Sequence, residues 1–202
     1  NLLDPGSTPN ENAQFLIFLC AFIKAVDEYP ELLRVSVANP GNDHRLGANE
    51  APPAIISLYL GEQLTDILEQ LKNGSSAKCT NNHCYLEIGV STLPPLPKDT
   101  TDRNRTSPIA FTGNKFEFRM VPSSGNIATP NTVLNTIMAE ALEEIASRLE
   151  NAEDFNTEVK KIIKEIVEKH MRIVFNGNNY SEEWVEEAKR RGLPNIEAMV
   201  YA

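Results

Sequence analysis

Apolar residues recur at helical spacing in four stretches of the chain and at strand spacing in one. From Glu11 to Tyr29, Phe15, Phe18, Leu19, Phe22, Ile23 and Val26 fall three and four apart, the repeat of one helical face. Further apolar residues between them point to burial on more than one side, and Pro30 closes the helix. Leu64, Ile67, Leu68 and Leu71 predict a helix over Gly61 to Lys72, stopped by Asn73-Gly74-Ser75-Ser76. Lys115 to Met120 alternates strictly, with Phe116, Phe118 and Met120 on one face and Lys115, Glu117 and Arg119 on the other. In the last third, Thr129-Pro130 joins a capping side chain to a proline at the first helical position. One stripe then runs from Val133 through Ile137, Ala141 and Ile145 to Leu149, and a second from Val159 through Ile162, Ile166 and His170 to Val174. The short polar link between them predicts an antiparallel hairpin, with His170 as a core histidine. Ser181 caps a last short helix carrying Trp184 and Val185.

The remaining stretches lack such a pattern. Residues 36 to 54 read as loop, on Asn39-Pro40-Gly41, Gly47 and Pro52-Pro53. Ile55 to Leu60 is a short apolar run that leaves strand and helix both open. Residues 73 to 108, rich in Pro, Asn, Ser and Thr, form a long irregular connection of the sort that often carries function. There is no internal repeat.

Composition narrows the function classes. At 202 residues the chain is long enough for one domain with a sizeable core. The formal net charge of −9 argues against nucleic-acid and anionic-membrane partners, which require clustered Lys and Arg. Its longest apolar run, Phe15 to Ile23, falls short of the roughly 20 residues that cross a bilayer. Three cysteines, Cys20, Cys79 and Cys84, suggest a reducing compartment and a cytoplasmic location. Cys79, His83 and Cys84 supply one ligand too few for structural zinc, so they read as a variable loop. Asn73, Asn104 and Asn179 stand in glycosylation sequons that carry no weight without a secretory signal.

Three segments carry residues suited to chemistry. On the strand, Lys115, Glu117 and Arg119 lie about 7 Å apart along one face. They read either as a solvated sheet face or as a polar site in which the carboxylate holds a divalent cation and the cations hold anionic groups. Asp102-Arg103-Asn104-Arg105-Thr106-Ser107 places two arginines in a Pro-rich loop, where forked hydrogen bonds can grip an anion. His44-Arg45-Leu46-Gly47-Ala48-Asn49-Glu50-Ala51-Pro52-Pro53 sets Arg and Glu in another loop.

Taken in order, these segments resemble glutamine synthetase. That family has an Arg-Leu loop reaching Glu-Ala-Pro, then Asn-Arg-Ser/Thr, then a basic-x-Glu-x-Arg strand, then a Pro-Asn or Asn-Pro entry into a helix. Here these are Arg45-Leu46 to Pro52, Asn104-Arg105-Thr106, Lys115 to Arg119, and Pro130-Asn131. The stretches Arg105 to Arg119, Asn131 to Thr136 and Tyr180 to Val185 look like the type III branch. The ordered set covers nearly the whole chain and is specific, although no one motif in it is. Two positions depart from the common bacterial pattern: Ala110 stands where that form carries a second phosphate-contacting arginine, and Lys115 replaces an arginine.

The resemblance implies an α+β fold. Residues 1–128 would form the C-terminal part of a catalytic domain with a few antiparallel strands, and residues 129–202 a helical hairpin and C-terminal helix. It implies ATP-dependent ligation of ammonia to glutamate through a γ-glutamyl phosphate. Arg45 and Arg119 would bind the glutamate carboxylate. Glu50 would sit on a closing flap and help bind ammonium, and Arg105 would act in catalysis on the phosphates. Arg105 and Lys115 would bind nucleotide, and Glu117 would ligate Mg²⁺ (or Mn²⁺). Partners would be glutamate, ammonium and ATP, with the full-length enzyme a ring-shaped homo-oligomer. The family's remaining metal ligands, much of its ATP site and its β-grasp domain would lie upstream of Asn1, leaving the chain inactive alone and prone to self-association. Two rivals remain: a γ-glutamyl–amine ligase on the same scaffold, and a non-catalytic helical module, such as a hairpin platform over residues 129 to 174, in which Arg45, Glu50, Arg105, Glu117 and Arg119 do not converge.

Overall fold

A computed structural model describes residues 1–48, 50–73, 85–86, 96–97 and 106–198. Its centre is helix α1 (Ala13–Glu28), whose residues Phe15, Leu19, Cys20, Ile23 and Val26 are at most 1% exposed. Asn12 caps it by accepting a hydrogen bond from the Phe15 amide. Burying each large apolar side chain contributes roughly 1.5–3 kcal/mol, so α1 anchors the core. Pro30 does more than end α1. It opens a second helix, α2 (Pro30–Ser36), because a residue without an N–H is at no disadvantage in a first turn.

Residues 40 to 45, expected as loop, form the short helix α3 (Pro40–Arg45). Asn39 caps it by accepting from the Asn42 amide, and Pro40 again opens it. Next come strand β1 (Leu58–Tyr59) and helix α4 (Glu62–Lys72), the latter close to its predicted limits. Strands β2 (Tyr85–Leu86) and β3 (Leu96–Pro97) pair antiparallel as a separate two-stranded ladder. The Cys79 to Cys84 segment lies outside the described residues.

Strands β4 (Ile109–Phe111) and β5 (Phe116–Phe118) form a hairpin in the register Ile109↔Phe118, Ala110↔Glu117, Phe111↔Phe116. Gly113, at φ +89°, makes its turn. β1 joins β4 in parallel, with α4 in the connection between them, so the small sheet is mixed rather than wholly antiparallel. The apolar face of β5 meets α1, where the Phe116 ring stacks on Phe22 with centroids 3.7 Å apart.

Helices α5 (Ala128–Glu150) and α6 (Phe155–His170) make the expected hairpin and pack on α1. The start of α5 differs from the expectation. Ile127 occupies the cap position, and Asn126 instead accepts a hydrogen bond from the Ala128 amide at 2.7 Å, leaving Thr129 within the first turn. Arg148 braces the hairpin by bonding Glu158 and Glu165, each at 2.6 Å. A 3₁₀ turn (Met171–Ile173) leads to helix α7 (Glu182–Arg190), capped by Ser181 as predicted. There Trp184 is 1% exposed and stacks on Phe175 at 3.9 Å. Among the described residues no helix is long and apolar enough to cross a membrane.

The chain's last described segment returns to the stretch before β1, where Asn195 forms an isolated bridge with Ile55. Ile196 donates to the Ala54 carbonyl at 3.0 Å, and the fully buried Arg34 bonds the Ile196 carbonyl at 2.8 Å while pairing with Asp43 of α3. Helix α3 is thereby fixed against two other parts of the fold.

Candidate active site

One cleft of about 70 Å³ gathers residues from three separate segments: Arg45 and Glu50, Ser107 and Arg119, and Tyr180. Each reaches it for a local reason. Arg45 is the last residue of α3, one helical turn beyond Asn42. The Asn42 Oδ1 atom accepts from Arg45 Nε at 3.0 Å and from Nη2 at 2.9 Å. Arg45 Nη2 also donates to the Met120 carbonyl at 3.1 Å. Among the described residues no carboxylate pairs with Arg45.

The loop after α3 folds back on itself. Gly47 donates to the Pro52 carbonyl at 3.0 Å and holds φ at +79°, a value that favours glycine. This turn presents Glu50 to solvent at the rim of the cleft. The Tyr180 hydroxyl donates to the Glu50 carbonyl at 3.3 Å, tying the loop to the turn before α7.

Arg119 follows β5, and its amide bonds the Pro108 carbonyl at 2.7 Å. Its side chain is only 19% exposed and reaches back to Glu117, from Nη2 at 3.2 Å and Nε at 3.3 Å. Glu117 also accepts from the Thr112 hydroxyl at 3.2 Å. Partial burial opposes its ionisation, but the bonds from Arg119 and Thr112 outweigh that, with the Lys115 charge adding. The carboxyl is held below the usual range and is ionised at neutral pH. Lys115 is exposed at the hairpin turn. Ala110 lies directly opposite Glu117, so the position that departs from the common pattern does border this carboxylate.

The structure therefore brings Arg45, Glu50 and Arg119 to one cleft, with Glu117 on the adjoining strand, bonded to Arg119, and Lys115 at the hairpin turn before it. Arg105 lies outside the described residues. The helical-module rival requires these charges to scatter, and the described ones do not. Among the described residues no three His, Cys, Asp or Glu side chains could jointly hold a metal ion, so Glu117 can supply one ligand and not a whole site.

Several supporting residues escaped the sequence reading. Asn42 was hidden by reading α3 as loop, although Asn39-Pro40 carries the cap-then-proline signal of a helix start. Asn179, read only as a sequon, is buried and donates to Ser57 Oγ at 2.7 Å, while Ser107 Oγ donates to its Oδ1 at 3.4 Å. His170 is buried as expected but is not simply apolar filling. Its Nδ1 lies 2.8 Å from Asp27, which Arg172 also bonds at 2.8 Å.

Comparisons with known proteins bear on the same residues. A family described as glutamine synthetase C-terminal domain matches residues 158–202. A type-3 glutamine synthetase from Dictyostelium discoideum is 54% identical over 200 residues, 97% of this chain and 27% of that protein. Glutamine synthetases from Butyrivibrio fibrisolvens and Bacteroides fragilis are 45% and 44% identical over 98% and 97% of this chain, each match covering 28% of the relative. The chain thus spans a little over a quarter of the length of the curated relatives it matches. Along almost its whole length the chain is therefore similar to glutamine synthetases, and residues 158–202 match their C-terminal domain.

Proposed function

We propose that the full-length protein is a glutamate–ammonia ligase and that this chain supplies the glutamate and ammonium side of its active site. The observation that carries this reading is the state of Arg45. Its guanidinium is fixed in a cleft by neutral acceptors, with Arg119 and Glu50 beside it, so its charge remains available to a carboxylate. Sites for whole small molecules run to about 300–1,000 Å³. A cleft of 70 Å³ is one wall of such a site, and the remainder would come from chain outside these residues.

In the reaction, a carboxylate oxygen of the glutamate side chain takes the γ-phosphoryl of ATP, giving γ-glutamyl phosphate and ADP. Ammonia then attacks the acyl carbon and phosphate leaves, giving glutamine. Arg45 and Arg119 would hold and orient the glutamate. Glu50 would draw in ammonium and accept the proton it sheds. Arg105 and Lys115 would offset charge on the transferring phosphoryl group, where positioning and neutralisation account for most of the catalysis. The loop bearing Glu50, fastened by Tyr180, would keep water from the acyl phosphate. Glu117, ionised and 42% exposed at its side chain, fits as one ligand of a Mg²⁺ or Mn²⁺ ion. Such an ion would supply positive charge to offset that of the phosphate groups. The protein would act in the cytoplasm as a homo-oligomer.

Purified full-length protein should form glutamine only with ATP, glutamate and ammonium together. Arg45→Gln should raise the KM for glutamate by about 100-fold, the usual size of losing one partner of a hydrogen-bonded charge pair. An unchanged glutamate KM would remove Arg45 from the site. Product formation with polyamines but not ammonia would favour a γ-glutamyl–amine ligase.

A further inference from the structure

Asn42 is 1% exposed and uses its whole hydrogen-bonding capacity on the cleft wall. Its Nδ2 donates to the Val37 carbonyl at 2.7 Å and to the Met120 carbonyl at 3.2 Å. Its Oδ1 takes the two bonds from Arg45. Two carbonyls on one side and a guanidinium on the other allow only one orientation of the amide, since the flipped form would set oxygen against oxygen and N–H against N–H. Asn42 therefore joins three segments at one point: the end of α2, the end of α3, and the backbone between Arg119 and the rest of the chain. Met120 contributes its carbonyl to Asn42 and to Arg45 alike, so the arginine is held from two directions.

Resting on the functional reading above, we infer that Asn42 is a positioning residue for glutamate binding, which fixes the Arg45 guanidinium relative to Arg119. It touches no substrate and acts through Arg45. A free arginine side chain samples many rotamers, and holding its fork in one plane removes that cost when a carboxylate arrives. A carboxylate in place of the amide would serve Arg45 but would face the Val37 and Met120 carbonyls and neutralise the charge the substrate needs.

The test uses the full-length enzyme and compares Asn42→Ala, Asn42→Ser and Arg45→Lys. Asn42→Ala should raise the KM for glutamate about tenfold, with the KM for ATP and kcat within about threefold of the parent. A KM is independent of the fraction of molecules that are folded, so partial loss of protein does not imitate this split. Asn42→Ser, which retains one hydroxyl too short to span all four bonds, should fall between parent and Ala. If Arg45→Lys raises the glutamate KM and Asn42→Ala does not, the positioning role is overturned and the glutamate site stands. If Arg45→Lys also leaves it unchanged, the functional reading itself fails. If neither Asn42 variant gives soluble, assembled protein, Asn42 is a folding residue and the inference is overturned.

Discussion

Two groups of charges, one in the helical layer around α1 and one at the cleft, are built differently. In the helical layer, Asp27 of α1 takes His170 and Arg172, while Lys24 bonds both Glu28 and Glu144. Lys169 approaches Glu28 at 3.5 Å. Each of these charges meets one of opposite sign. At the cleft, Arg45 is anchored by an amide oxygen and a backbone carbonyl, and Arg119 shares a glutamate that is still partly open to solvent. The first arrangement joins elements by pairing groups of opposite sign across them. The second costs stability, since Arg45 is held with no carboxylate partner among the described residues, and that cost is the mark of a site kept ready for an anion.

The sharpest break of this comparison is Asp27→Ala. It strands His170, which is 3% exposed at its side chain, while the half-exposed Arg172 can turn to water. The loss should be about 3 kcal/mol, the low end for breaking a buried pair, seen as a lower thermal midpoint with the glutamate KM within twofold. A large change in that KM would join the two clusters and erase the distinction. Glu117→Gln should do the reverse, leaving the midpoint nearly unchanged and raising the Mg²⁺ concentration for half-maximal activity about tenfold. Gly47→Ala should cost about 1 kcal/mol through the positive φ of its turn, with the ammonium KM raised through the Glu50 loop.

The smallest expected effect is on acid stability. Burial opposes ionisation of Glu28, but its bond to Lys24 and the charges of His170 and Lys169 prevail, so its pKa is lowered, as is that of Glu117. A carboxyl whose folded pKa is depressed stabilises the fold at neutral pH, and the contribution disappears as pH falls through the folded value. Glu28→Gln should therefore flatten the acid limb of the stability–pH profile. Glu117→Gln should flatten it less, because that side chain is more exposed and its interactions more screened.

The long helices and the β5 strand were legible because each repeats its apolar period over enough residues to be unambiguous. Helix α3 was not, because six residues hold too few periods, and only its capping pair announces it. The start of α5 misled for a related reason: Asn126 and Thr129 are both capping residues, and the choice between them depends on the path of the chain before the helix. For the site, the order of motifs pointed to Arg45, Glu50, Glu117 and Arg119, yet it could not reveal Asn42 or Tyr180. Their contributions come from contacts 78 and 130 positions apart in sequence, to Met120 and Glu50 respectively.

The most direct test is a structure of the full-length protein with glutamate bound. The account predicts a glutamate carboxylate within hydrogen-bond distance of the Arg45 guanidinium, with Arg119 lining the same pocket and Asn42 unmoved. Glutamate seated elsewhere, or Arg45 turned to a protein carboxylate in the complete chain, would contradict it.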